Sequence, residues 1–301
     1  MKKNTLKRRA ARHRGIGRLA IFGVGLIGGS LALALKRRKA VGCVTGVGRS
    51  RANLLVARRL GIVDEIATDS AAAVKNADMV LIAVPLGQTA AVLAQIAPHL
   101  EAHTIITDAG STKQDVIAYA QRYLGRAYTR FVPAHPIAGT EKSGAGAAFA
   151  SLFDGHKLIV TPAAATDPRA VSAVSAMWKL AGMRVISMSA ANHDRAFALV
   201  SHLPHLLAFA LVNQIASYAD GPALFNHTGG GFRDSTRIAG SSPEMWRDVC
   251  LANRDALLIA LDDYLGELER LRGMLEASDG QGLEQSFTAA RQARSRWLKP
   301  K

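Results

Sequence analysis

The chain has 301 residues, enough for two domains at about 150 residues each, with 49% hydrophobic and 20% charged residues. That balance excludes general disorder, and 27 glycines and 10 prolines without a period exclude collagen-like and low-complexity classes. Two cysteines, Cys43 and Cys250, exclude a disulfide scaffold or zinc ribbon and point to a reducing, cytoplasmic compartment.

The net charge of +15 is uneven. Residues 1–18 hold eight Lys or Arg and no acid, about half of the excess. Residues 1–15 read as a basic, disordered tail. The remaining, mildly basic body suits anionic small molecules as well as polynucleotides.

Residues 19–35 carry no charge and follow that tail, so they could pass for a signal peptide or a membrane span. Gly23, Gly25, Gly28 and Gly29 fall early in the run, however, and basic residues flank both ends. A strand at 19–23, a glycine turn and a helix at 26–39 fit better. A strand at 41–47 follows, then a helix at 51–60 stopped by Gly61. Residues 77–85 and 104–108 are continuous apolar runs of the buried parallel-strand type, with a helix at 89–100 between them. Strands at 131–134, 157–160 and 184–188 complete the alternation. This predicts a Rossmann-type, doubly wound parallel sheet. Past residue 190 no strand is expected. Helices are expected at 190–218, 243–277 and 280–297, with a loop at the three glycines 229–231. The domains are therefore read as 16–189, dinucleotide-binding, and 190–301, helical.

Gly23-Val24-Gly25-Leu26-Ile27-Gly28 matches G-x-G-x-x-G between a strand and a helix. The first glycine makes the turn, the second lets the backbone approach a pyrophosphate, and the third lets helix and strand pack closely. The pyrophosphate then meets the positive helix N-terminus. No acid occurs between Gly29 and Val63. Arg49, Ser50 and Arg51 stand where an acid would bind a free ribose hydroxyl, and arginine there accommodates a 2′-phosphate. NADP+ is favoured over NAD+ on this ground. Val84, Pro85 and Asp108, at the carboxyl ends of buried strands, complete the candidate cofactor set.

Polar clusters interrupt the apolar text at 108–113, 135–141, 201–205 and 233–237. His135 is the best general-base candidate, since histidine alone titrates near neutrality unperturbed. Arg237 suits a carboxylate clamp or a structural ion pair. His202 and His205 lack a third ligand at a recognisable spacing, so no metal is expected.

Together GVGLIGGS, ADMVLIAVP, DAGSTK, HPIAGTEKSG, HDRAFALVSHLPH and GFRDSTRIAGSSPEMWRD resemble the prephenate/arogenate dehydrogenase family of tyrosine biosynthesis, over residues 18–255. The resemblance implies oxidative decarboxylation of a cyclohexadienol, with hydride passing to the nicotinamide, CO2 leaving the ring and aromatisation driving the reaction. In the family's pattern His135 takes the hydroxyl proton and Ser111 positions that histidine and the hydroxyl. Arg237 binds a substrate carboxylate. His202, His205 and Trp246 line the pocket, and Glu141 gates it. The family's helical domain builds a homodimer. No appended regulatory domain is expected in the residues after Asp255, and no mutase domain is expected before the glycine turn.

A β-hydroxyacid dehydrogenase would share the cofactor turn but typically relies on a lysine on a second-domain helix, against which the two histidine blocks argue. A nucleic-acid-binding protein would need a basic face with interleaved aromatics, and aromatics are only 6% of this chain. The expected partners are a small-molecule substrate and a second copy, with neither nucleic acid nor membrane.

Overall fold

The uncharged run folds as β1 (Ile16–Phe22), a glycine turn and α1 (Leu26–Arg37). The structure is a computed structural model that describes residues 15–298, so the basic tail, except Gly15, lies outside the described residues. Two units divide at residue 253.

In the first unit, β2 (Val41–Val47), β3 (Glu65–Ile66), β4 (Met79–Ile82), β5 (Ile105–Asp108) and β6 (Phe131–Val132) join β1 in a six-stranded sheet of order β3-β2-β1-β4-β5-β6. Every pair is parallel. Alternation along β1 sends Leu19 and Ile21 into one core and Ala20 and Phe22 into the other. Both faces of the sheet are therefore buried, which is why its strands are continuous apolar runs. Residues of α1 and α6 (Pro168–Leu180) fill the first core, with α2 (Arg51–Arg59) contributing Leu54 and Ala57. Residues of α3 (Ser70–Val74), α4 (Thr89–Ile96) and α5 (Gln114–Tyr123) fill the second.

The strand expected at 131–134 splits at Pro133. Proline has no N–H to continue the ladder. The chain then leaves the main sheet as β7 (Ala134–Ile137), which pairs antiparallel with β8 (Lys157–Val160). In turn β8 pairs in parallel with β9 (Arg184–Ser187), so the later strands form a separate three-stranded sheet.

No strand occurs past residue 190 among the described residues. The helix expected at 190–218 is α7 (Ala190–Phe197), a π-helical turn (Ala198–His202) and α8 (Leu203–Ala216). Pro204, in the first turn of α8, cannot donate to the preceding turn and widens it. After α9 (Gly221–Phe225), the expected glycine loop is instead the start of α10 (Gly230–Thr236), with Gly229 as N-cap. The helix expected at 243–277 ends at Asn253, after α11 (Pro243–Ala252).

The second unit is a pair of helices, α12 (Arg254–Glu276) and α13 (Gly280–Leu298). Arg270 Nη2 donates to Ser286 Oγ at 2.8 Å and ties the two together.

Candidate active site

Gly23 and Gly28 have the close backbone geometry that their spacing predicts. Gly23 sits at φ +95°, and a Cβ there would meet Ala83 O at 2.3 Å. At Gly28 a Cβ would meet Gly23 O at 2.4 Å, so helix and strand are in close contact there. Gly25 faces open space, with nothing within 4 Å of a Cβ position. It is the N-cap of α1 and provides no side-chain cap; no acid occupies the first turn. The N–H groups at Leu26 and Ile27 thus begin a bare helix N-terminus, which fits a dinucleotide pyrophosphate. Asn53, which no sequence motif marks, braces the turn. Its Nδ2 donates to Val24 O and its Oδ1 accepts from Ala145 N, both at 2.8 Å.

Past β2, Ser50 Oγ caps α2 by accepting from Asn53 N at 3.2 Å. Arg49 is exposed. The Gln88 amide, with its oxygen toward Arg49, accepts from both Nη atoms at 3.0 and 3.1 Å, and Glu244 Oε1 lies 4.0 Å away. Arg51, the first residue of α2, is exposed and has no hydrogen-bonded side chain among the described residues. Val84 and Pro85 are half-buried where the chain leaves β4. Just beyond them Gly87 N donates to Asp248 Oδ2 of α11 at 3.2 Å.

Asp108, at the end of β5, points inward. It pairs with the buried Lys113 ammonium and accepts from Ala134 N at 2.9 Å and Gly110 N at 2.8 Å. Lys113 Nζ also donates to Ala134 O at 2.8 Å. This buried pair fixes the first residue of β7, and His135 is the next.

His135 Nδ1 lies 2.9 Å from His193 Nε2, and His193 Nδ1 lies 2.7 Å from Asp194 Oδ1. The N–H groups of Lys113 and Gln114, where α5 begins, donate to the two oxygens of Asp194 at 2.8 Å each. Phe197 packs on both imidazoles. His193 and Asp194 are buried, whereas His135 is partly exposed. Ser111 is half-buried on the loop after β5, and no hydrogen bond joins it to His135 among the described residues.

The second-domain candidates fall into two groups. His205 stacks on Trp246 with ring centres 3.6 Å apart, and its Nδ1 donates to Ser201 O at 2.9 Å. His202 packs edge-on against the same indole, and its Nδ1 accepts from Asn253 Nδ2 at 3.0 Å. Two buried donors at this cluster, His202 Nε2 and Trp246 Nε1, have no protein partner. In the other group, Arg237 Nη1 pairs with Glu141 Oε1 at 2.5 Å. Among the described residues no cluster of three His, Cys, Asp or Glu is arranged to hold a metal.

The electrostatics follow from burial. His135 is held well below the ordinary histidine range, first by burial and then by the neighbouring His193, Lys113 and His202. Burial pushes His202 down to about 4 and lowers His205, to which the nearby Arg237 charge adds. Burial also lowers His193, against the pull of its bond to Asp194. Burial would raise Asp194, but its bonds from His193 and the two backbone N–H groups outweigh that and keep it ionised. At neutral pH His135 is thus an uncharged imidazole with a buried carboxylate two hydrogen bonds behind it.

Of the candidate residues, His202, His205 and Trp246 come together, as do Arg237 and Glu141. His193 and Asp194 open the HDRAFALVSHLPH segment but were assigned no role from the sequence, and Asn53 lies outside every recognised motif.

Two family models cover most of the chain. The prephenate dehydrogenase nucleotide-binding domain matches residues 31–187, and the prephenate dehydrogenase dimerization domain matches residues 189–289. The cyclohexadienyl dehydrogenase of Zymomonas mobilis is 38% identical over 278 residues, 92% of this chain and 94% of that protein. The prephenate dehydrogenase of Bacillus subtilis is 38% identical over 279 residues, 92% of this chain and 75% of that protein. The crystal structure of prephenate dehydrogenase from A. aeolicus, in complex with hydroxyphenyl propionate and NAD+, is similar with a TM-score of 0.88. It is 34% identical, and the match covers 93% of this chain and 98% of that one.

Proposed function

The chain belongs to the prephenate dehydrogenase family of nicotinamide-dependent oxidoreductases, and we propose that it oxidatively decarboxylates prephenate, arogenate or both. The products are 4-hydroxyphenylpyruvate and tyrosine respectively. The observation that carries this reading is His135: an imidazole kept neutral, partly exposed, and backed by a buried hydrogen-bond chain.

The bare N-terminus of α1, at Leu26 and Ile27, would hold the dinucleotide pyrophosphate. When bound, the nicotinamide accepts the hydride that leaves the substrate's carbinol carbon. His135 takes the proton from the hydroxyl on that carbon, so a carbonyl electron pair develops as the hydride departs. Ser111, with no protein partner among the described residues, is free to orient the same hydroxyl. Arg237 receives a substrate carboxylate once Glu141 yields it. His202, His205 and Trp246 wall the pocket and exclude water from the ring as CO2 leaves.

The preference for NADP+ rests on Arg49 and Arg51 past β2 and on the lack of an acid there. We assign residues 16–189 to cofactor binding and 190–301 to substrate binding and dimerisation. A homodimer is supported by Leu199, Val200 and Leu211, which are exposed on the stretch 190–216, Val200 to 70%. By length and composition that stretch is apolar enough to cross a membrane; we propose instead that a second copy covers it. The reduced cysteines fit a cytoplasmic enzyme.

The test is nicotinamide reduction by the purified protein with prephenate and with arogenate, each against NAD+ and NADP+. Rapid reduction in any of the four combinations establishes the reaction and ranks both specificities. No reduction in all four, by a folded protein that binds a dinucleotide, overturns it in favour of another substrate for the same fold.

A further inference from the structure

We infer that His193 and Asp194 are positioning residues that fix His135 in the one tautomer able to act as a base toward the substrate. The inference rests on the reaction proposed above.

The proton positions are set from the buried end. Asp194 is ionised, and an ionised carboxylate only accepts hydrogen bonds. The group facing its Oδ1 at 2.7 Å must therefore be a donor, so His193 carries its proton on Nδ1. A neutral imidazole has one N–H and one lone pair, which leaves the lone pair of His193 on Nε2. His135 Nδ1 faces that lone pair at 2.9 Å and must donate to it. The remaining nitrogen of His135, Nε2, then holds the free lone pair. A proton arriving from a substrate hydroxyl bonds there, and the imidazolium so formed keeps its Nδ1–H on His193. No proton has to leave His193, which is fully buried. The logic is that of an aspartate orienting a catalytic histidine, with one imidazole inserted between them.

The neighbours lock this arrangement. Two backbone N–H groups hold the Asp194 carboxylate from the start of α5, and Asn253 Nδ2 donates to Asp194 O at 2.8 Å. Phe197 fixes both ring planes. Without Asp194 as an acceptor, His193 could carry its proton on Nε2 instead. That proton would face His135 Nδ1 and drive the His135 proton onto Nε2, leaving no base toward the substrate.

The first experiment is 15N NMR of the unaltered enzyme with labelled histidine, assigned by comparison with His135→Asn. A protonated Nδ1 and unprotonated Nε2 on His135 at neutral pH are expected. A protonated Nε2 overturns the inference, whatever the activity. The second compares His193→Leu with His193→Gln. The leucine removes the acceptor, whereas the glutamine amide oxygen restores one. His193→Leu should lower kcat by about 10²-fold or more with little change in KM, and His193→Gln should recover a measurable part. Equal losses in both variants, or a full kcat in His193→Leu, would mean that His193 only packs. If the unaltered enzyme shows the Nδ1–H tautomer but turns over neither cyclohexadienol, the proposed reaction fails and the tautomer assignment stands.

Discussion

Arg237 Nη1 and Glu141 Oε1 lie 2.5 Å apart, although 96 residues separate them in the chain. The guanidinium proposed to bind a substrate carboxylate already holds one of the protein's own. Glu141 is held below the ordinary carboxylate range by a backbone N–H bond and by Arg237, so it competes as an anion at neutral pH. Both partners are exposed, and their attraction is screened by salt. Glu141→Gln should therefore lower KM by roughly two- to five-fold, the range an exposed pair spans, with kcat little changed. Steady-state kinetics at low and high salt checks this, and an unchanged KM at low salt would show that the two anions do not compete.

His135→Asn removes the proposed base while keeping a polar side chain of similar size. The expected fall in kcat is about 10²–10⁴-fold. Dinucleotide affinity, measured by fluorescence titration, should stay near normal because the glycine turn is untouched. Turnover close to that of the unaltered enzyme would remove His135 from the mechanism.

Because burial holds His135 well below its ordinary range, the base is already unprotonated at pH 7. On the acid side, kcat/KM should stay level through the ordinary histidine range and fall only at lower pH. The same burial makes stability pH-dependent. His202 binds its proton near 6.5 when unfolded and at about 4 when folded. Between those values the unfolded chain holds more protons, so stability drops as pH falls. From pH 7 to pH 5 this one histidine should lower stability by about 2 kcal/mol. Urea unfolding of the unaltered protein and of His202→Asn at both values isolates the effect.

Two alanine substitutions in the glycine turn should behave differently. Gly25 has a negative φ and open space around it, so Gly25→Ala should fold normally yet weaken dinucleotide binding by about tenfold or more. Gly28→Ala forces a methyl against Gly23 O and should lower stability by about 1–3 kcal/mol. Thermal melts and cofactor titrations of the two variants separate the roles, and equal melting temperatures would refute the assignment.

Replacing Arg49 and Arg51 together by alanine should raise the KM for NADP+ much more than that for NAD+, since only the former carries a 2′-phosphate. Equal losses for both cofactors would defeat the specificity reading. Gln88→Ala should affect NADP+ more weakly, because it only orients Arg49.

Local rules made part of this molecule legible in advance. Alternation of apolar runs with helical periods gives the parallel sheet, because burial on both faces demands continuous apolar strands. The glycine turn is equally local: Gly23 needs a positive φ, and Gly28 needs a missing side chain, both within six residues of sequence. His135 could be singled out because histidine alone among side chains titrates near neutrality without help.

Other features depend on what long-range packing brings together, and no short window contains that. Pro133 could be seen in the sequence, but the second sheet that β7 joins is built with strands 20 or more residues further on. Asp108 sits where cofactor ligands usually lie, yet its carboxylate is turned inward by Lys113 and Ala134. His193 and Asp194 open a segment that the sequence singles out, yet nothing local says what they touch. They meet His135 across 58 residues, and the backbone that orders Asp194 comes from 80 and 81 residues away. Backbone propensity and hydrophobic period act over a few residues and are written in the sequence; the direction of a proton on a buried imidazole is set by its partners, and only the folded chain chooses those.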